Sequence, residues 1–220
     1  MNERLAHRNN LGAPIILNVV SSTRTDLPLD IEQLATKLRH VVYEPEMFPG
    51  LIYRRHDPKA TIIMFSTGKI VSIGSKSERV ARKSLRATAS EIARLTEEQV
   101  VLGKMKTENV VAMFDAEYPI DVRKLAAQHP NTKYEPDKFP GAICQLKKGV
   151  TVLIFKSGKM VLVGSKSEYE AKSRILHAYR MLEASDCILQ GSRVQDPLHL
   201  TNLVDPILPR IQKIRTVAGL

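Results

Sequence analysis

The sequence is poor in cysteine, in carboxylates and in long apolar runs, and each shortage removes a class of function. Only two cysteines, Cys144 and Cys187, occur in 220 residues, in unrelated contexts. That usage argues for a reducing interior and against a disulfide framework or a zinc site. No apolar run approaches the ~18 residues of a membrane span, and Met1-Asn2-Glu3-Arg4 leads into polar residues, so no secretory signal is expected. The six histidines are scattered, and no Cys/His or paired-carboxylate constellation recurs. No phosphate-cradling glycine-rich loop precedes a helix. Neither an enzyme nor a cofactor is expected. Acidic residues number 23 against 33 Lys and Arg, for a formal net charge of +10. A surface of that sign attracts polyanions, chiefly nucleic acid or acidic membranes.

What the chain does have is an internal repeat. Phe48-Pro49-Gly50-Leu51-Ile52-Tyr53 returns 91 positions later as Phe139-Pro140-Gly141-Ala142-Ile143-Cys144. Tyr43-Glu44-Pro45-Glu46 is echoed by Tyr134-Glu135-Pro136-Asp137, and Phe65-Ser66-Thr67-Gly68-Lys69 by Phe155-Lys156-Ser157-Gly158-Lys159. Gly74-Ser75-Lys76-Ser77 recurs as Gly164-Ser165-Lys166-Ser167 at an offset of 90, so the second copy lacks one residue between its two phenylalanines. Two copies are too few for a solenoid; two halves about a pseudo-twofold axis are expected. The hydrophobic content of 43% suffices for one large or two small cores.

Each copy reads strand, helix, three or four strands, helix. The expected strands are 15–22, 50–55, 59–65 and 69–73, then 108–114, 140–146, 150–156 and 159–163. The expected helices are one capped by Asp30 with Ile31, Leu34 and Leu38 on its apolar face, a basic one over 77–95, one near 121–128, and one over 167–184. Strands joined by hairpins form an antiparallel sheet, and the helices must then pack on one face of it. The alternation in 61–73 sends Ile63, Phe65, Val71 and Ile73 to one side and Ile62, Met64, Ile70 and Ser72 to the other. Both faces are largely apolar. Either a second layer buries the helix-free face, or that face is an apolar groove rimmed by Lys and Arg that grips nucleic acid. The basic face of 77–95 is either simply solvated or meets regulators or upstream DNA. Residues 1–14 read as a disordered lead, 15–100 and 101–185 as the two units, and 186–220 as an extension. In the extension Asp196-Pro197 and Asp205-Pro206 suggest turns, and Ile207, Ile211 and Ile214 suggest a short helix.

Over residues 15–184 these motifs, in their order and spacing, resemble the core domain of the TATA-box-binding proteins. The resemblance implies an α+β saddle with a curved ten-stranded antiparallel sheet below and four helices on the convex top. It also implies minor-groove binding with apolar wedges that kink the duplex, properties of the family and not of anything read from this chain. The matching wedge positions are Phe48 and Phe65 in the first repeat and Phe139 and Phe155 in the second, four of the chain's five phenylalanines. Asn18 and Asn109 match the central asparagines, and Val20, Val71, Val111, Val161, Ile63 and Leu153 the apolar groove contacts. Arg54, Thr67, Lys69, Lys76, Ser157, Lys159 and Lys166 match the phosphate-facing rim.

Departures from the family pattern are also legible. Ile73 and Val163 stand where a threonine is usual, Leu17 and Glu108 where a glutamine precedes each asparagine, and Gln145 where an arginine is usual. Lys147-Lys148-Gly149 replaces a turn containing proline. These changes remove hydrogen bonds near the centre and set a carboxylate near the DNA. Among partners, the resemblance implies promoter DNA, with transcription factor B docking at Glu135, Asp137 and Lys138 and then RNA polymerase. It further implies a monomer on DNA, a weak homodimer through the sheet face when free, no membrane, and a cytoplasmic place on an archaeal nucleoid or, in a eukaryote, the nucleus. The rival reading is a regulatory paralogue that acts mainly through protein partners.

Overall fold

The computed structural model describes residues 12–190; the lead before Gly12 and the turns and helix expected in 191–220 lie outside the described residues. The first unit contains β1 (Ile15–Arg24), α1 (Ile31–Lys37), β2 (Val41–Val42), β3 (Gly50–Arg55), β4 (Ala60–Phe65), β5 (Lys69–Ser75) and α2 (Glu78–Thr96). The second contains β6 (Lys106–Asp115), α3 (Val122–Gln128), β7 (Thr132–Lys133), β8 (Ala142–Lys147), β9 (Val150–Ile154), β10 (Lys159–Ser165) and α4 (Glu168–Ala184).

All ten strands form one antiparallel sheet in the order β2-β3-β4-β5-β1-β6-β10-β9-β8-β7. That order is its own mirror image about the β1–β6 seam, so the sequence repeat has become a pseudo-twofold axis through the middle of the sheet. The strand pair at each outer edge, β2 and β7, has only two residues and no signal in the sequence reading. The residue missing from the second copy falls in a hairpin: four residues, 56–59, separate Arg55 from Ala60, whereas three, 147–149, separate the equivalent Leu146 and Val150.

Local chemistry places the helices. The side chains of Asp30 and Asp121 accept from the backbone N–H of Gln33 and Lys124, both at 2.9 Å, and Ser77 and Ser167 do the same for Val80 and Glu170. Each cap satisfies a donor that the first helical turn leaves free. On α2 the buried residues Ala81, Leu85, Ala89 and Ile92 recur every three or four positions, a single apolar stripe. Arg79, Arg82, Lys83, Arg86 and Arg94 stand on the exposed side.

The apolar stripe packs on Leu51, Ile62, Met64 and Ile70 in the first unit. The α4 residues Ala171, Ile175 and Leu182 pack on Val110, Val152, Ile154, Met160 and Leu162 in the second. Burying each Leu or Ile contributes about 1.5–3 kcal/mol. Cys144 and Cys187 are free thiols buried in the second core. The alternation expected for 61–73 holds: Ile62, Met64, Ile70 and Ser72 are buried toward the helices, while Ile63, Phe65, Val71 and Ile73 are partly exposed on the opposite, concave side.

Candidate nucleic-acid interface

The concave face is built outward from the seam. At its centre Asn18 Oδ1 accepts from the Gly74 backbone N–H, and Asn109 Oδ1 accepts from that of Gly164, both at 2.9 Å. Because an N–H must meet an oxygen, each carboxamide is oriented with its NH2 turned away from the glycine. The glycines are required here. Gly74 and Gly164 have φ of 94° and 104°, which side chains rarely adopt, and they lie where β5 and β10 each carry an extra residue against the seam strands.

The β1–β6 ladder is itself bulged twice, leaving Leu17 and Glu108 unmatched in the register. A bulge re-aims side chains, and Leu17 joins the concave apolar row. Glu108 accepts from the Ser22 hydroxyl at 2.7 Å, and Lys166 Nζ lies 3.9 Å from its other carboxylate oxygen. The carboxylate expected near the groove is therefore held by two partners of the protein itself.

Toward each end stands a pair of phenylalanines. Phe48 and Phe65 meet edge to face with ring centroids 5.8 Å apart, and Phe139 and Phe155 repeat the arrangement at 5.8 Å. The Phe-Pro-Gly motif explains itself at this point: a Cβ on Gly50 would fall 2.6 Å from Phe48 Cε1 and 3.1 Å from Phe65 Cε1, and one on Gly141 3.0 Å from both rings. The Phe48 and Phe139 backbone N–H groups donate to the Glu44 and Glu135 carbonyls at 2.9 Å, which fixes the loop that carries each outer ring.

Between centre and ends, Val20, Ile63, Val71 and Ile73 line one half and Val111, Leu153, Val161 and Val163 the other. Arg54 is exposed, Lys69 and Lys159 open β5 and β10 at partial exposure, and Thr67 and Ser157 sit in the hairpin turns just before those strands. Lys76 and Lys166 are exposed, but each also donates to a backbone carbonyl, that of Leu17 at 2.7 Å and of Glu108 at 2.8 Å. These two lysines reach back to the bulge residues. The sequence reading missed that role and the bulges; the signal was the pairing of Leu17 with Glu108 at the repeat offset.

Glu135, Asp137 and Lys138 are exposed on the β7–β8 loop, apart from the apolar row. Lys138 pairs with Glu135 and holds its carboxyl below the usual carboxylate range. Among the described residues no three His, Cys, Asp or Glu side chains group closely enough to hold a metal, and no helix is long and apolar enough to cross a membrane.

Comparison with known proteins agrees with this geometry. Residues 13–95 and 104–185 each match the family described as transcription factor TFIID, or TATA-binding protein. A TATA-box-binding protein of Aeropyrum pernix is 35% identical over 179 residues, covering 79% of this chain and 86% of the relative. TATA-box-binding protein 1 of Triticum aestivum is 35% identical over 171 residues, 77% of this chain and 73% of the relative. The solved structure of a Methanococcus jannaschii TATA-binding protein superposes with a TM-score of 0.68 at 33% identity, covering 79% of this chain and 99% of that one. The chain belongs to the TATA-binding protein family, a family of transcription factors and not of enzymes.

Proposed function

We propose that the chain is a transcription initiation factor that binds the minor groove of A/T-rich promoter DNA on its concave face. It bends the duplex by inserting its two phenylalanine pairs, then recruits transcription factor B and RNA polymerase. The observation that carries this reading is the central pair of asparagines, each with its oxygen tied to a glycine and its NH2 left to donate. A·T and T·A pairs expose only acceptors in the minor groove. Two aimed donors flanked by aliphatic side chains suit either orientation of such a pair. Phe48/Phe65 and Phe139/Phe155 supply the apolar wedges. Arg54, Lys69, Lys76, Lys159 and Lys166 supply phosphate contacts that make binding salt-dependent.

The Glu135-Asp137-Lys138 loop is the docking place for transcription factor B. Such a factor works where promoter DNA is, on an archaeal nucleoid or in a nucleus. Residues 15–100 and 101–185 act as the two halves of one clamp.

The test is energy-transfer bending of an end-labelled A/T-rich duplex by the wild type and by Phe48→Ala and Phe139→Ala, with and without transcription factor B. Bending that is lost in both variants supports the reading. A second reading, a regulatory paralogue, is favoured by Ile73, Val163, Leu17 and Glu108 at the centre, which offer the groove apolar or acidic groups. It predicts no bending under any condition alongside retained binding of transcription factor B.

A further inference from the structure

Helix α2 carries on its outer side a charge that its twin α4 lacks. Arg79, Arg82, Lys83, Arg86 and Arg94 are all exposed. At the equivalent places 90 positions on, α4 has Tyr169, Lys172, Ser173, Leu176 and Ala184, so one cation of the five survives. The two helices cover the same side of one sheet with the same kind of apolar stripe, and α4 does so without the charge. The basic row is therefore no requirement of the fold.

Nothing on α2 offsets that row. Its two carboxylates are engaged elsewhere: Glu78 accepts from the Glu168 N–H and the Thr107 hydroxyl, and Glu91 from the Arg55 guanidinium at 2.6 Å and the Tyr53 hydroxyl at 3.0 Å. Among the described residues no carboxylate pairs with any of the five cations, whereas on α4 Arg174 is held by Glu170. Arg79 and Lys83, and likewise Arg82 and Arg86, stand four apart, a spacing at which like charges destabilise a helix. Arg79 also lies in the first turn, where the helix dipole disfavours a cation. Charges that the helix itself opposes mark a surface with a use beyond folding. Their chemistry chooses the partner. A protein–protein interface has an apolar centre, and among the described residues none of the exposed large apolar side chains lies on α2. A duplex backbone needs only cations, because the counterions it releases supply the affinity. From Arg79 to Arg94 the row runs about 22 Å, over which duplex DNA presents about a dozen phosphates.

We propose that the outer face of α2 binds the phosphate backbone of a second DNA duplex, without regard to its sequence, while the concave face is occupied. Ala81, Leu85, Ala89 and Ile92 bury the other side of α2 against the sheet, so the basic row points away from the concave groove and the two sites do not compete. The chain then bridges two DNA segments. This inference goes beyond the reading given under Proposed function and does not depend on it.

The experiment adds a labelled G/C-only duplex to the full-length chain saturated with an unlabelled A/T-rich duplex, and follows fluorescence anisotropy across a salt series. The wild type should bind the G/C-only duplex with a Kd of about 10⁻⁴–10⁻⁶ M at physiological salt. Arg82→Ala/Lys83→Ala/Arg86→Ala should weaken that binding roughly tenfold or more, and lower the slope of log K against log salt by about 0.9 for each cation removed. Its circular dichroism should be unchanged, since alanine favours helix. Lys172→Ala/Arg180→Ala, which takes two exposed cations from α4, should leave the slope nearly as it was. Equal slopes in the wild type and the α2 variant overturn the proposal. So does an equal loss per charge in the α4 variant, which reduces the effect to net charge. Displacement of the G/C-only duplex by the A/T-rich one overturns it as well, because a single site then serves both. A poly-glutamate peptide that binds the α2 face more tightly than the duplex does assigns the face to an acidic protein and overturns it too. G/C-only binding that survives in Phe48→Ala/Phe139→Ala and is lost in the α2 variant supports the proposal even if the groove reading fails.

Discussion

Glu78 and Glu168, equivalent residues 90 positions apart, each accept a hydrogen bond from the other's backbone N–H. The pair lies across the pseudo-twofold axis at the first positions of α2 and α4, and Glu78 also accepts from the Thr107 hydroxyl at 2.7 Å. Each carboxylate satisfies a free donor at a helix start, where the helix dipole also favours negative charge. The two repeats are thus joined above the sheet as well as along the β1–β6 seam. Glu78→Ala should cost about 1–2 kcal/mol, a fall of roughly 2–8 °C in Tm by calorimetry, with most of it restored by Glu78→Gln, which keeps an acceptor. A Tm unchanged in Glu78→Ala would mean that the reciprocal cap contributes nothing.

Gly50→Ala separates folding from wedge geometry. The new Cβ would sit 2.6 Å from Phe48 Cε1 and 3.0 Å from Ile63 Cγ2, and the neighbours are side chains that can move. The expected cost is the overpacking one, about 1–3 kcal/mol, with the Phe48 ring turned out of its contact with Phe65. Circular dichroism should show a folded protein, and energy-transfer bending of an A/T-rich duplex should fall toward that of Phe48→Ala. Full bending by Gly50→Ala would show that the ring's resting place does not matter.

Stability at low pH should depend on Glu170. The Lys147 ammonium, then the Lys166 backbone N–H and the Arg174 guanidinium at 2.9 Å, hold its carboxyl down at about 2. A carboxyl depressed on folding stabilises the fold above its ordinary value near 4.5, and that contribution is lost as the pH falls through about 2. Since Lys147 is itself largely exposed, its worth is on the order of 1 kcal/mol and not the full shift. Denaturant melts of the wild type and Glu170→Gln should differ at neutral pH and converge between pH 4.5 and 2. A gap that stays constant across that range would assign the loss to packing.

The frame of this fold was legible because it is written twice. Four of five phenylalanines at matched positions and two copies of Tyr-Glu-Pro and Gly-Ser-Lys-Ser led to the saddle, and the alternation of Ile62, Ile63, Met64 and Phe65 gave both faces of β4 correctly. Other features depend on register between distant strands, which no local pattern encodes. The bulges at Leu17 and Glu108 arise only when β1 meets β6. The two-residue strands β2 and β7 exist only because β3 and β8 offer them an edge. The reach of Lys76 back to the Leu17 carbonyl likewise follows from the β1–β5 pairing, so a lysine that reads as a free rim charge proves also to brace the centre.

Asn18→Asp tests the centre most directly, because it changes one end of the side chain. An aspartate keeps an oxygen for the Gly74 N–H, now 2.9 Å from Asn18 Oδ1, so the bulge at Gly74 and the Tm should be nearly unchanged. On the proposed reading, the other end would turn from a donor into a negatively charged acceptor facing the N3 and O2 acceptors of the minor groove. Loss of a good base contact is worth about 1–3 kcal/mol, so affinity for an A/T-rich duplex should fall roughly tenfold to a hundredfold by that contact alone. Asn109→Asp should behave the same way by symmetry, its oxygen being held by Gly164. Equal affinity of wild type and both variants, measured by fluorescence anisotropy at fixed salt, would remove the asparagine amides from recognition and leave only shape and charge to hold the DNA.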